Sequence, residues 1–127
     1  MIAIDTSALM AILLDEPDNG ACASALAADA DRVMSAGTLA ECVIVARGRD
    51  LLDEMSALLD ELDRGVEAVT AAVARAVGDA YGRWGKGNHP AELNFGDCFA
   101  YELATRRACP LLFVGDGFSQ TDVKSAI

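Results

Sequence analysis

The sequence predicts an α/β domain built on a mainly parallel sheet, and three observations carry that prediction. Short apolar runs, Ile2-Ala3-Ile4 at the start and Leu111-Leu112-Phe113-Val114 near the end, read as buried strands. Between them lie longer stretches with apolar residues every three or four positions, the period of a helix. Strands that alternate with helices pair in parallel, because each helix carries the chain back across the sheet. With 127 residues, the chain is expected to form one domain over residues 1–127, large enough for a core of its own.

Taken in order, Ile2 to Asp5 is a strand, and Ser7 to Leu14 is a helix stopped by Asp15-Glu16-Pro17. Asn19 to Ala28 is an alanine-rich helix with Asn19 as a candidate cap, and Arg32 to Ser35 is a short strand. Thr38 to Arg47 is helical, with Gly48 as its stop. From Asp50 to Leu62, residues Leu51, Leu52, Met55, Leu58, Leu59 and Leu62 form one apolar stripe on a helix, which Asp63-Arg64-Gly65 ends. The stripe reads as core. Val66 to Thr70 alternates as a strand does, and Ala71 to Trp84 is a helix with Gly78 as its weak point. Gly85 to Pro90 is a loop, Asn94 to Arg107 a helix, Leu111 to Val114 a strand and Gly115-Asp116-Gly117 a turn. Thr121 to Ile127 has no clear pattern.

Composition narrows the function. A hydrophobic fraction of 53% against 24% charged residues is that of a globular protein. No apolar stretch approaches the roughly 18 residues of a membrane span. The N-terminus has no basic region and Asp5 interrupts its first apolar run, so no signal peptide is expected and a cytoplasmic location is. A net charge of −10 argues against simple electrostatic binding of nucleic acid, and suits a basic partner. Cys22, Cys42, Cys98 and Cys109 form no C-x-x-C pair and read as small core hydrophobes. With His89 the single histidine, no zinc spacing is present, and His89 itself reads as a surface residue.

Four acids stand out because each falls where a strand or loop meets a helix. Asp5 and Asp116 follow apolar strands, while Glu41 and Asp97 lie in the first turns of helices. Each has a local explanation. Thr38-x-x-Glu41 and Asn94-x-x-Asp97 have the spacing of a capping box, Asp5 can cap the next helix, and Asp116 can be a turn residue. Together they point elsewhere. Carboxylates gathered outside the carboxyl ends of parallel strands repel one another unless a cation lies between them, which suggests divalent metal. Arg106 and Arg107 read as complements to a helix C-terminus, and Asp122 as a helix start. In Tyr81-Gly82-Arg83-Trp84-Gly85-Lys86, Trp84 packing with solvated basic neighbours is favoured over an RNA grip.

Three stretches resemble PIN-domain ribonucleases, and among them the VapC toxins. Ile2-Ala3-Ile4-Asp5-Thr6-Ser7-Ala8-Leu9 is similar to the family's opening. Leu93 to Tyr101 and Leu111 to Asp122 are similar to later motifs, and Ala40-Glu41-Cys42 stands where the family's helical Glu is expected. The chain departs from the pattern at Gly117, where many members carry Asp. The resemblance spans the chain and implies a three-layer α/β/α sandwich and a metal-dependent endoribonuclease toxin. Its RNA substrate would be structured, with transfer RNA the suggested class, cut at an unpaired loop. Carried over by motif, Asp5, Glu41, Asp97 and Asp116 would form a catalytic, metal-binding pocket for Mg²⁺ or Mn²⁺. Asp5 and Asp97 would be the main ligands, Glu41 and Asp116 would act directly or through water, and Thr6 and Ser7 would hold the carboxylates. The resemblance also implies a homodimer and a cognate VapB-type antitoxin. Two rival readings stand beside this one. Another metal-dependent phosphoryl-transfer domain usually wants a second Asp two positions after Asp5, where this chain has Ser7. A non-catalytic binding module would use the acids as caps and show no metal-dependent activity.

Overall fold

Alternation along the strands divides the interior in two. Ile2 and Ile4 of β1 (Ile2–Ile4) belong to one core and Ala3 to the other, because successive strand side chains point to opposite faces. Met34 and Val33 of β2 (Arg32–Ser35) split in the same way, as do Leu112 and Leu111 of β4 (Leu111–Leu112). With β3 (Gly65–Glu67) these strands form a parallel sheet in the order β3-β2-β1-β4. This computed structural model describes residues 1–62 and 65–127. The expected helix stop at Asp63-Arg64-Gly65 lies partly outside them.

Helices cover both faces. Helices α1 (Thr6–Leu13), α2 (Asn19–Ala28), α3 (Ala36–Gly48) and α4 (Leu52–Glu61) pack Leu9, Cys22, Cys42 and Met55 around Ile4 and Met34. Helices α5 (Ala71–Trp84) and α6 (Phe95–Arg106) pack Val77, Trp84, Cys98 and Leu103 around Ala3 and Leu111. The result is the expected α/β/α sandwich. No helix of the described residues is long and apolar enough to cross a membrane.

Several boundaries differ from the expectation, each for a local reason. Helix α3 begins at Ala36 because Ser35, at the end of β2, caps it by accepting the Gly37 amide at 3.1 Å. At its other end Gly48 stays helical, and Asp50 takes the left-handed turn at φ 57°. Asn19 is the first residue of α2 rather than its cap, and its side chain bonds Asp15. β4 has two residues, but the chain beyond it returns: Leu111 donates to the Lys124 carbonyl and Ala126 to that of Leu111. The segment without a sequence pattern therefore lies along the outer edge of β4.

The strand order fixes where a site can form. From β1 the chain steps outward to β2 and β3, then returns to the opposite side of β1 as β4. The crevice at the carboxyl ends of β1 and β4 is thus the switch point, where the flanking connections diverge and leave room for a ligand.

A buried and an exposed residue give a stability test. Leu9 is fully buried and Ile127 is 48% exposed. Leu9→Ala is expected to cost about 2–5 kcal/mol in urea unfolding, and Ile127→Ala less than about 0.5 kcal/mol.

Candidate active site at the carboxyl edge of the sheet

Asp5 follows β1 directly and is 2% exposed. Its extended backbone places it as the cap of α1, where Oδ2 accepts the Ser7 amide at 3.0 Å and the Ser7 hydroxyl at 2.6 Å. That hydroxyl in turn accepts the Val114 amide at 3.0 Å, and the Asp5 amide donates to the Leu112 carbonyl at 3.0 Å. Asp5 is thereby tied to both strands of the crevice. Its other oxygen, Oδ1, is buried without a hydrogen-bond partner. Burial pushes the Asp5 carboxyl up to about 7, the Ser7 bonds oppose this, and the charges of Asp97 and Glu41 add to it.

Glu41 arrives from α3. Because that helix starts at Ala36, Thr38 lies inside it and the capping-box reading of Thr38 and Glu41 does not hold. Glu41 Oε1 instead accepts the Thr6 hydroxyl across the crevice at 2.6 Å. Burial raises its proton affinity, the Thr6 bond lowers it, and Asp97 raises it further. Asp97 does complete a capping box. Asn94 Oδ1 accepts the Asp97 amide at 2.8 Å, and Asp97 Oδ2 accepts the Asn94 amide at 2.9 Å. Burial still raises the Asp97 carboxyl above its ordinary value. Beside it, burial and the charge of Asp97 push the Cys98 thiol up to about 11, which suits a packing role.

Three of the four predicted acids therefore feel one another's charge, while the fourth is Asp116. It is exposed on the loop after β4, two residues beyond the Val114 amide that binds Ser7. Its carbonyl accepts the Ser119 hydroxyl at 2.6 Å. A side chain at the neighbouring Gly117 would meet the Ala91 carbonyl at 3.2 Å, a tight approach that suits glycine there.

Among the described residues, no three His, Cys, Asp or Glu side chains are close enough to surround a metal ion as they stand. The residues nonetheless fit a hard divalent cation. Their donors are all carboxylate oxygens, one of them buried and unpaired, and all three charged forms are disfavoured by burial. A cation that keeps several of its own waters needs few protein oxygens.

Other candidates fall into structural roles. Arg83 lies 4.4 Å over the buried Trp84 ring and pairs with Asp122 at 3.5 Å. Asp122 also accepts the Tyr101 hydroxyl at 2.6 Å, so it starts no helix and belongs to this second cluster. His89 is half-buried rather than on the open surface. Its Nδ1 accepts the Ala91 amide at 3.0 Å and its ring packs edge-on to Trp84. Arg106 and Arg107 pair with Glu67, and Arg106 with Glu102, rather than serving the helix end alone. Sequence reasoning missed an apolar groove beside the acids. Gly37, Ala40, Ile44, Phe95 and Phe99 line about 360 Å³ against Glu41, with Ile44 70% and Phe95 72% exposed. Its sequence signal was the i,i+4 pair Phe95 and Phe99 on one face of α6.

Comparison with known proteins places the chain in a family and agrees with its fold. Residues 2–124 match the PIN domain family. A VapC ribonuclease of Mycobacterium bovis is 44% identical over 98% of this chain and 96% of its own length. A ribonuclease VapC of Mycolicibacterium smegmatis is 45% identical over 96% of this chain and 97% of its own. Among solved structures, the VapC20 toxin of Mycobacterium tuberculosis, described as cleaving the sarcin–ricin loop, superposes with a TM-score of 0.78 at 18% identity. That match covers 97% of this chain and 96% of the other. A chain of a toxin–antitoxin complex from Klebsiella pneumoniae gives 0.70 at 14% identity, over 96% and 93%.

The pH dependence of stability reads out Asp5. Its carboxyl rises from 3.8 to about 7 on folding, so between those values the folded state holds more protons than the unfolded one. Stability then falls as pH rises through this window. With chelator present, the melting temperature is expected to drop between pH 5 and pH 8, and to drop less in Asp5→Asn. Mn²⁺ added at pH 8 should raise it in the parent and much less in the variant. Equal pH profiles in the two proteins would contradict the assignment.

Proposed function

The chain belongs to the PIN-domain family, and on that footing we propose that it is an endoribonuclease toxin of a VapBC-type toxin–antitoxin pair. The observation that carries the chemistry is the buried, unpartnered Oδ1 of Asp5 at the switch point of the sheet, on a carboxyl that feels the charges of Asp97 and Glu41. Asp5, Glu41 and Asp97 would hold Mg²⁺ or Mn²⁺, with Asp116 joining from the adjacent loop. When bound, such a cation offsets the charge that builds on a scissile phosphate and makes water a better nucleophile at neutral pH. The chain's own work is positioning. Ser7 fixes one oxygen of Asp5 and leaves the other open, and Thr6 fixes one oxygen of Glu41. The chain's net charge of −10 repels a polyanion, so the charge of these acids would have to be offset for RNA to enter the pocket.

The same charge suits an antitoxin that brings a basic side chain to the acids. For the homodimer, we assign the face that bears Ile44 and Phe95. It is the contiguous apolar surface beside the site, and exposed apolar patches of this kind mark protein contacts. We propose structured RNA cut in an unpaired loop as the substrate, with transfer RNA the first class to try.

Two measurements follow. Purified protein, freed of partner, is expected to cut RNA with Mg²⁺ or Mn²⁺ and not with chelator, and Asp97→Asn should lose at least about 100-fold in rate. An asparagine keeps an oxygen for the Asn94 amide, so the cap survives and the loss reports the charge. Cleavage unchanged in Asp97→Asn would sink the mechanism. Light scattering should find a dimer that Ile44→Asp converts to monomer; an unaltered dimer would move the interface elsewhere.

A further inference from the structure

Helices α3 and α6 cross through two glycines. An ideal Cβ on Gly96 of α6 would lie 1.8 Å from Oε2 of Glu41 and 2.5 Å from its Cδ. An ideal Cβ on Gly37 of α3 would lie 2.4 Å from Cδ1 of Phe99 and 2.5 Å from its Cγ. The contacts are reciprocal: the acid of α3 rests on the backbone of α6, and the ring of α6 rests on the backbone of α3. Neither glycine has a positive φ, so the backbone conformation would accept alanine at both positions. Alanine would even favour the helix, because glycine gives up more backbone freedom to enter one. Close approach is what demands glycine here.

Glu41 has few ways to yield. Its Oε1 accepts the Thr6 hydroxyl at 2.6 Å, so the carboxylate is held between α1 and the first turn of α6. Asp97 is the residue after Gly96 and is fixed by the capping box. The approach at Gly96 therefore sets how far the Glu41 carboxylate stands from that of Asp97.

We propose that Gly96 is a positioning residue, which with Gly37 behind it sets the spacing of Glu41 and Asp97 and so the fit of the acid cluster to a divalent cation. This rests on the nuclease reading above. Groups that orient ligands without binding the metal themselves cost about 10–100-fold in metal affinity or activity when altered.

The test is a double-mutant cycle on the full chain with Gly96→Ala, Glu41→Ala and both, read by Mn²⁺ titration and by urea unfolding. Gly96→Ala is expected to weaken Mn²⁺ about tenfold or more and to lower kcat on RNA with little change in KM. Removing the Glu41 carboxylate opens the space, so Gly96→Ala should destabilise the parent and leave the Glu41→Ala background unchanged or firmer. Gly96→Ala/Glu41→Asp, whose shorter acid can retract, should regain part of the Mn²⁺ affinity that Gly96→Ala alone loses. A parent that binds Mn²⁺ while Gly96→Ala matches it in affinity and kcat would overturn the proposal. So would effects of the two substitutions that simply add, because independent sites add and touching ones do not. If Gly96→Ala does not fold, the unfolding of Glu41→Ala with and without the second change still decides, since both lack the clash. A parent that neither binds Mn²⁺ nor cuts RNA would instead overturn the nuclease reading.

Discussion

A carboxylate that water does not reach is the constraint around which this molecule is arranged. Placing an ionised carboxylate in the interior costs several kcal/mol unless charge or hydrogen bonds offset it. Here the offset is partial. Ser7 serves one oxygen of Asp5 twice, and the other has no partner. The surrounding fold holds the residue in place all the same. β1 ends at it, α1 begins at it, and the loop after β4 is bound to it through the Val114 amide and the Ser7 hydroxyl. A buried carboxylate so incompletely satisfied would be relieved by positive charge brought beside it.

The three inner acids share a second property. Each gives one oxygen to the protein. Asp5 uses Oδ2 to cap α1, Asp97 uses Oδ2 to close the box with Asn94, and Glu41 uses Oε1 to take the Thr6 hydroxyl. A carboxylate has two oxygens and about four acceptor positions, so structural use does not exhaust it. Capping and cation binding are therefore not rivals at Asp5 and Asp97. The cap fixes the rotamer, and at Asp5 it leaves the second oxygen buried without a hydrogen-bond partner.

Around this pocket the surface divides by chemistry. An acidic field of this kind opposes polyanions and favours cations and basic surfaces. The groove against Glu41 is apolar and open, with Phe95 and Phe99 packed edge-to-face at 4.9 Å across its wall. On the far side of α6, Arg83, Trp84, Tyr101 and Asp122 form a separate cluster that ties α5 to the C-terminal segment. Arg83 and Trp84 are thus occupied in joining α5 to α6 and the C-terminal segment.

Elements with strong local signals were legible in the sequence. The apolar run at Ile2, the α4 stripe through Met55 and Leu59, and the proline stop after α1 each follow from spacing that needs no neighbour. Asn94 and Asp97 were legible as a box for the same reason: both partners lie within one turn. The start of α3 was not, because Ser35 serves as the last residue of β2 and as the cap of the helix at once. Nor was the pairing of Leu111 with the C-terminal segment, which has no pattern of its own. By itself, then, the sequence determined the α/β class, the order of the elements and the acids at their junctions, all of which are local or periodic properties. Tertiary structure alone decided that Glu41 bonds Thr6 rather than Thr38, that Asp5 keeps one bare oxygen, that Asp116 stays at the rim, and that Gly96 receives a carboxylate. Those depend on distances between residues far apart in the chain, and such distances exist once strands and helices have packed.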